Sequence, residues 1–153
     1  MAETESNLNC TDLAVARFNE GFSCSQSVFS AFAPDLGLDV DAALRVSAAF
    51  GGGMGRTGGT CGAVTGAIMV LGLRHCPPDS SAAAERAQTY KAVLDFMSRF
   101  EKRNGSIVCK KLLGSDISTP EGAKAVHERG LHQSVCPKLV RDAAEILEEM
   151  AGS

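Results

Sequence analysis

The chain has 153 residues, 44% of them hydrophobic, and a net charge of −3 at pH 7. That length supports one domain with a real core and argues against a second. Lysine and arginine are mixed evenly with aspartate and glutamate, which argues against a nucleic-acid or anionic-membrane footprint.

Residues 1–10 are polar and acidic, without the basic start and apolar run of a secretory signal, and are expected to lack fixed structure. A single domain is expected over 11–150. Thr11 is a candidate cap for a first helix carrying Leu13, Val15, Ala16 and Phe18, ending near Gly21. Ser23 caps the next, with Val28, Phe29 and Phe32 on its apolar side and Pro34 as its stop. Asp39 opens a third, over Val40 to Phe50, whose spacing predicts Leu44, Val46 and Ala48 inward. A glycine run ends it. Thr60 then caps a helix so apolar, with Val64, Ile68, Met69, Leu71 and Leu73, that it should be the buried central element. Its apolar stretch, Ala63 to Leu73, is about half of the roughly 20 residues a membrane helix needs. Cys76-Pro77-Pro78 closes it.

The longest helix begins at Ser80 or Ser81 and reaches Asn104, with Ala87, Tyr90, Val93, Leu94, Met97 and Phe100 as its stripe and Gly105 as its C-terminal cap. A short helix follows Ser106. Thr119-Pro120-Glu121 starts another, stopped by Gly130. Ser134 introduces the last, with Pro137 in its first turn and Leu139, Val140, Ala143, Ile146 and Leu147 inward. The expectation is an all-α, single-domain helical bundle of about seven helices, with a glycine-rich loop before a buried central helix.

The absence of signal and span points to a soluble, cytoplasmic protein without a membrane or nucleic-acid partner. Six cysteines in that compartment are more readily reactive or metal-binding than permanently bridged. On these helix boundaries Cys24, Cys61, Cys109 and Cys136 each fall in a first helical turn, where exposed N–H groups and the helix dipole favour the thiolate. Cys109 also has Lys110 and Lys111 beside it. The plain alternative is that cysteines pack as small apolar side chains. Cys10 and Cys76 are read that way, Cys10 near a terminus and Cys76 at a helix end where the dipole disfavours a thiolate. No CxxC pair, CxxCH haem site or paired zinc knuckle occurs, so any cluster must be assembled from distant helices.

With Gly21-Phe22-Ser23-Cys24-Ser25-Gln26-Ser27-Val28, the glycine run leading into Cys61-Gly62-Ala63-Val64-Thr65-Gly66, and the later Cys109 and Cys136-Pro137, the chain resembles the redox-active C_GCAxxG_C_C family over most of its length. One departure is local. The family name reads Gly-Cys-Ala-x-x-Gly where this chain reads Cys-Gly-Ala-x-x-Gly, which moves the thiol one residue back, about 100° around a helix. The resemblance implies a redox role with unsettled substrate, carried by Cys24, Cys61, Cys109 and Cys136.

Other signals weigh less. Gly53-Met54-Gly55-Arg56-Thr57-Gly58 fits GxGxxG, but a helix rather than a strand is predicted before it, which rules out a dinucleotide site. The glycines instead suit tight turning and close backbone approach beside Cys61. Arg56 is a candidate to hold a thiolate or an anion, against the plainer reading of a solvated arginine. His75, His127 and His132 lack paired metal spacing and read as surface or capping residues. Tyr90, Phe96 and Phe100 read as helix packing, and Glu145, Glu148 and Glu149 as a solvated face.

Two chemistries fit four convergent cysteines. In one, Cys61 attacks as thiolate and another resolves the mixed disulfide, so the protein is an oxidoreductase or electron carrier working on a redox partner protein or a small thiol or disulfide. In the other, the four sulfurs hold an iron–sulfur cluster. The alternative from another class is a structural zinc site on the same four cysteines, without redox catalysis.

Overall fold

Asn9, not Thr11, opens the first helix: its side-chain oxygen accepts the Asp12 N–H at 2.8 Å, and α1 runs over Cys10–Asn19. The structure is a computed structural model that describes residues 5, 7–79 and 81–152. The expectation for residues 1–10 therefore falls partly outside the described residues, as does that for Ser80. Within that first stretch Glu5 pairs with the buried Arg17 at 3.3 Å.

Helix α2 covers Cys24–Phe32 and starts on a complete capping box, in which Ser23 accepts the Gln26 N–H and the Gln26 side chain accepts the Ser23 N–H. A 3-10 turn at Ala33–Leu36 holds Pro34, and Gly37 exits it left-handed. Helix α3 (Val40–Ala48) is capped by the Asp39 carboxylate, which takes two N–H groups. Its inward face corrects the expectation: Ala43 and Ser47 are buried, while Val46 is 55% exposed and Ala48 lies outside. The cause is polar rather than apolar. Gln26 donates to the Leu44 carbonyl and Ser25 to the Ser47 carbonyl, and these bonds fix the rotation of α3 against α2.

After the glycine turn, α4 (Gly62–His75) is the central helix, with Gly62 through Ala67, Val70 and Leu71 all buried. It starts at Cys61 as N-cap, not at Thr60. Helix α5 (Ala83–Asn104) has Ala82 as N-cap and Gly105, left-handed, at its end. Only its second half is clasped: Phe96 and Phe100 are fully buried and stacked 6.0 Å apart, whereas Tyr90 and Leu94 of the expected stripe are exposed. Ala92, Val93 and Met97 pack against the core beside Phe96 and Phe100, so the exposure of Leu94 reflects which side of the helix turns inward. Short helices α6 (Cys109–Leu113), α7 (Pro120–Glu128, capped by Thr119) and α8 (Leu131–Ser134) lead to α9 (Cys136–Ala151). Val108 and Val135, rather than Ser106 and Ser134, are the N-caps of α6 and α9, and Ser134 instead closes α8.

The architecture is all-α, as expected; among the described residues only an isolated bridge between Thr60 and Val108 is β-like. No helix among them is long and apolar enough to cross a membrane. The five expected residues of α9, from Leu139 to Leu147, are all buried. Its acidic face is not merely solvated: Arg103 on α5 pairs with Glu145 at 3.0 Å and with Glu149, and the Thr11 N–H donates to Glu148. The core falls into two clusters. The larger joins α1, α2, α4, α5 and α9, and the smaller gathers Cys109, Leu113, Ile117, Val126, Leu131 and Cys136 around α6 to α8. Cys24 and Phe18 touch both, so the seam between them runs past the thiols.

Candidate functional site

Four chain segments bring the four cysteines to this seam. Cys24, Cys109 and Cys136 are each the first residue of a helix, and Cys61 is an N-cap. The bridge at Thr60 aligns two of them: the Cys61 N–H donates to the Ile107 carbonyl at 2.7 Å and the Cys109 N–H to the Gly59 carbonyl at 2.6 Å. Main-chain bonds perpendicular to two extended stretches fix their neighbours side by side.

The glycines allow the approach. A Cβ on Gly53 would lie 2.7 Å from Cys109 Cβ, and one on Gly62 would lie 2.9 Å from the Ser25 nitrogen and 3.1 Å from Cys24 Cβ. The second observation accounts for the local order Cys61-Gly62. A side chain at 62 would strike the start of α2, so in this chain the thiol sits one residue earlier. The glycine turn is itself unusual: Gly52, Gly53, Met54, Gly55 and Arg56 have φ of 66°, 69°, 70°, 63° and 64°, a left-handed run of five residues. For Met54 and Arg56 that conformation costs about 1–2 kcal/mol each. Bonds from Arg56 N–H to the Gly51 carbonyl and from Gly59 N–H to the Gly53 carbonyl hold it.

All four cysteines, with Arg56 and His132, line one cavity of about 480 Å³ whose remaining walls are Ser23, glycines and apolar side chains such as Phe18, Leu112 and Leu139. Cys61, Cys109 and Cys136 are buried and Cys24 is partly so. His75 and His127 do not line it, and Cys10 lies elsewhere, its thiol 3.9 Å from Asp35.

The helix starts do not make four thiolates. Burial pushes Cys61 up to about 12, although the amides of Ala63 and Val64 at the start of α4 pull the other way. Burial likewise pushes Cys109 up to about 11, against the nearby Arg56 charge. Removing water from a thiolate outweighs the pull of one helix end, and α6, with five residues, has few aligned dipoles to offer. Cys136 differs. Interaction with the Cys24 thiol holds it below the ordinary thiol value, and His132, with Nδ1 3.7 Å from its Sγ, acts in the same direction. Cys24 is driven well up by the same interaction. The two thiols are thus driven in opposite directions, Cys24 towards the neutral form and Cys136 towards the thiolate. No motif marks His132 in the sequence; it reaches Cys136 because the short helix α8 ends just before α9 begins.

A metal ion or cluster would need several of these groups around one point. Among the described residues no group of three or more His, Cys, Asp or Glu side chains is arranged to hold one as the thiols stand.

A family model described as "putative redox-active protein (C_GCAxxG_C_C)" matches residues 22–150. The chain belongs to that family. Comparison with curated proteins and with solved structures gave no match. In this C_GCAxxG_C_C protein the matched span contains all four cavity cysteines, while Cys10 lies before it.

Proposed function

We propose that the protein carries two electrons by thiol–disulfide exchange, with Cys136 as attacking thiolate and Cys24 as resolving thiol. The observation that carries this reading is the His132 nitrogen 3.7 Å from Cys136 Sγ in a cavity that Cys24 also lines, and the lowered Cys136 value agrees with it. It moves the attacking role from Cys61, which is neutral in that setting, to Cys136.

The chemistry balances within the protein and one disulfide. Cys136 thiolate attacks a substrate sulfur, forming a mixed disulfide as the substrate S–S bond breaks and one thiolate leaves to be protonated. Cys24 then gives up its proton and attacks Cys136 Sγ, expelling the second thiol. Two cysteine thiols become one cystine and the substrate is reduced to two thiols; the reverse sequence oxidises a dithiol. His132 steadies Cys136 before attack and is placed to receive or supply a proton. Cys61 and Cys109, protonated and within electrostatic reach of Cys24, are a second pair able to take the electrons onward by another exchange.

The test is peptide mapping after reduced protein meets one equivalent of a small disulfide without oxygen. The expected product is a Cys24–Cys136 cystine in the natural chain and a stalled mixed disulfide on Cys136 in Cys24→Ser. Equal trapping of the mixed disulfide in both proteins, or stoichiometric iron or zinc on four sulfurs in freshly isolated protein, overturns the proposal.

A further inference from the structure

We infer that the cavity selects a small disulfide carrying a carboxylate, drawn in by Arg56; this rests on the exchange reading above. Size and burial come first. The space of about 480 Å³ lies in the range of small-molecule sites, and the sulfurs beneath it are enclosed, with Cys61 3%, Cys136 5% and Cys109 9% exposed. Sulfurs so little exposed favour a slender molecule over the broad face of a folded partner, and the body of such a molecule meets apolar walls at Phe18, Leu112 and Leu139.

Charge comes second. Among the described residues no aspartate, glutamate or lysine lines the cavity, and Arg56 is its permanent charge. The protein as a whole is net −3, so this local sign runs against the average. Among the described residues Arg56 pairs with no carboxylate. Its position is set by the left-handed turn: a Cβ on Gly52 would lie 2.8 Å from Arg56 Cγ, so the stem rests on that glycine, and the guanidinium acts on the Cys109 thiol. Asp116 and Lys110 also stand near Cys109, outside the lining, and Asp116 is occupied by the Ser118 N–H and hydroxyl. A guanidinium with free donors beside an apolar hole recognises a carboxylate in two-pronged fashion. The carboxylate is a spectator in the reaction: the ligand S–S bond breaks, a Cys136–sulfur bond forms, and one thiolate leaves.

The test compares two aromatic disulfides of similar size, dithiobis(nitrobenzoate), which carries carboxylates, and uncharged dithiodipyridine. Their rates with reduced protein are followed by stopped flow. In Arg56→Gln the ratio of the anionic to the neutral rate should fall about tenfold at low salt, and Arg56→Lys should restore much of it. A ratio unchanged by Arg56→Gln overturns the inference while leaving the exchange reading intact. Failure of Cys136 to react with either probe faster than the same thiol in unfolded protein overturns both.

Discussion

Replacing Gly66 by alanine tests whether close approach of α2 and α4 is what assembles the thiol site. A Cβ there would stand 2.8 Å from the Ser25 carbonyl oxygen, 3.2 Å from Ser25 Cα and 3.2 Å from Val28 Cβ. Two of these neighbours are backbone, so no rotamer change relieves the contact and α2 must back away. Overpacking of this kind costs about 1–3 kcal/mol, while alanine returns about 0.5–1 kcal/mol of helix propensity over glycine. The net expectation is a loss of about 1–2 kcal/mol, or roughly 2–8 °C in Tm for a chain of this size. Gly72 supplies the control, since it lies on the same helix and its added Cβ meets nothing within 4 Å. Gly72→Ala should therefore stabilise by about 0.5–1 kcal/mol. Urea denaturation of the three proteins reads the two signs directly. Because Cys24 heads α2, Gly66→Ala should also weaken its interaction with Cys136 and slow alkylation of Cys136 at neutral pH, an effect Gly72→Ala should lack. Stabilisation by both substitutions would refute the argument that the glycine at 66 is there for contact with α2.

The thiolate assignment gives a pH prediction. Because the folded value of Cys136 lies below the ordinary 9.0, its alkylation by iodoacetamide should rise at lower pH than that of the other cysteines, and His132→Asn should move that rise upward; coincident profiles for all thiols would contradict it. Cys61 has the opposite sign. With its folded value raised to about 12 from 9.0, the neutral thiol contributes stability that is complete below about pH 9 and falls by about 4 kcal/mol as pH climbs through 12. The urea midpoint should drop between about pH 9 and pH 12, and Cys61→Ser, which has no titrating thiol there, should drop less. Away from the site, Arg17 is 7% exposed and donates to Ser30 Oγ at 2.7 Å. Ser30→Ala should cost about 1–3 kcal/mol by removing an acceptor from a buried cation, measured by the same denaturation.

The sequence by itself determined the helices and their order, because their signals are local. Alternating polar and apolar residues at helical spacing, Pro34, Gly105 and Gly130 as stops, and Ser23, Asp39 and Thr119 as caps act within a turn or two of where they stand. It also supplied the family, through the cysteine and glycine pattern. The rotation of α3 was not legible, since it answers to hydrogen bonds from Ser25 and Gln26, about twenty positions away, rather than to its own apolar spacing. Nor was the face that α5 turns inward: Ala92, Val93, Phe96, Met97 and Phe100 meet the core, so Tyr90 and Leu94 on the same stretch face out.

The same division runs through the site. Local sequence could say that four thiols sit near helix starts, and by that rule all four were alike. Tertiary structure made them unlike: enclosure drives Cys61 and Cys109 towards the neutral form, and contact with Cys24 and His132 draws Cys136 the other way. Ionisation depends on water, charge and donors within a few ångströms, and those neighbours come from segments as far apart in the chain as Cys24 and Cys136. Which cysteine carries the charge is therefore a property of the folded arrangement and not of any stretch of chain.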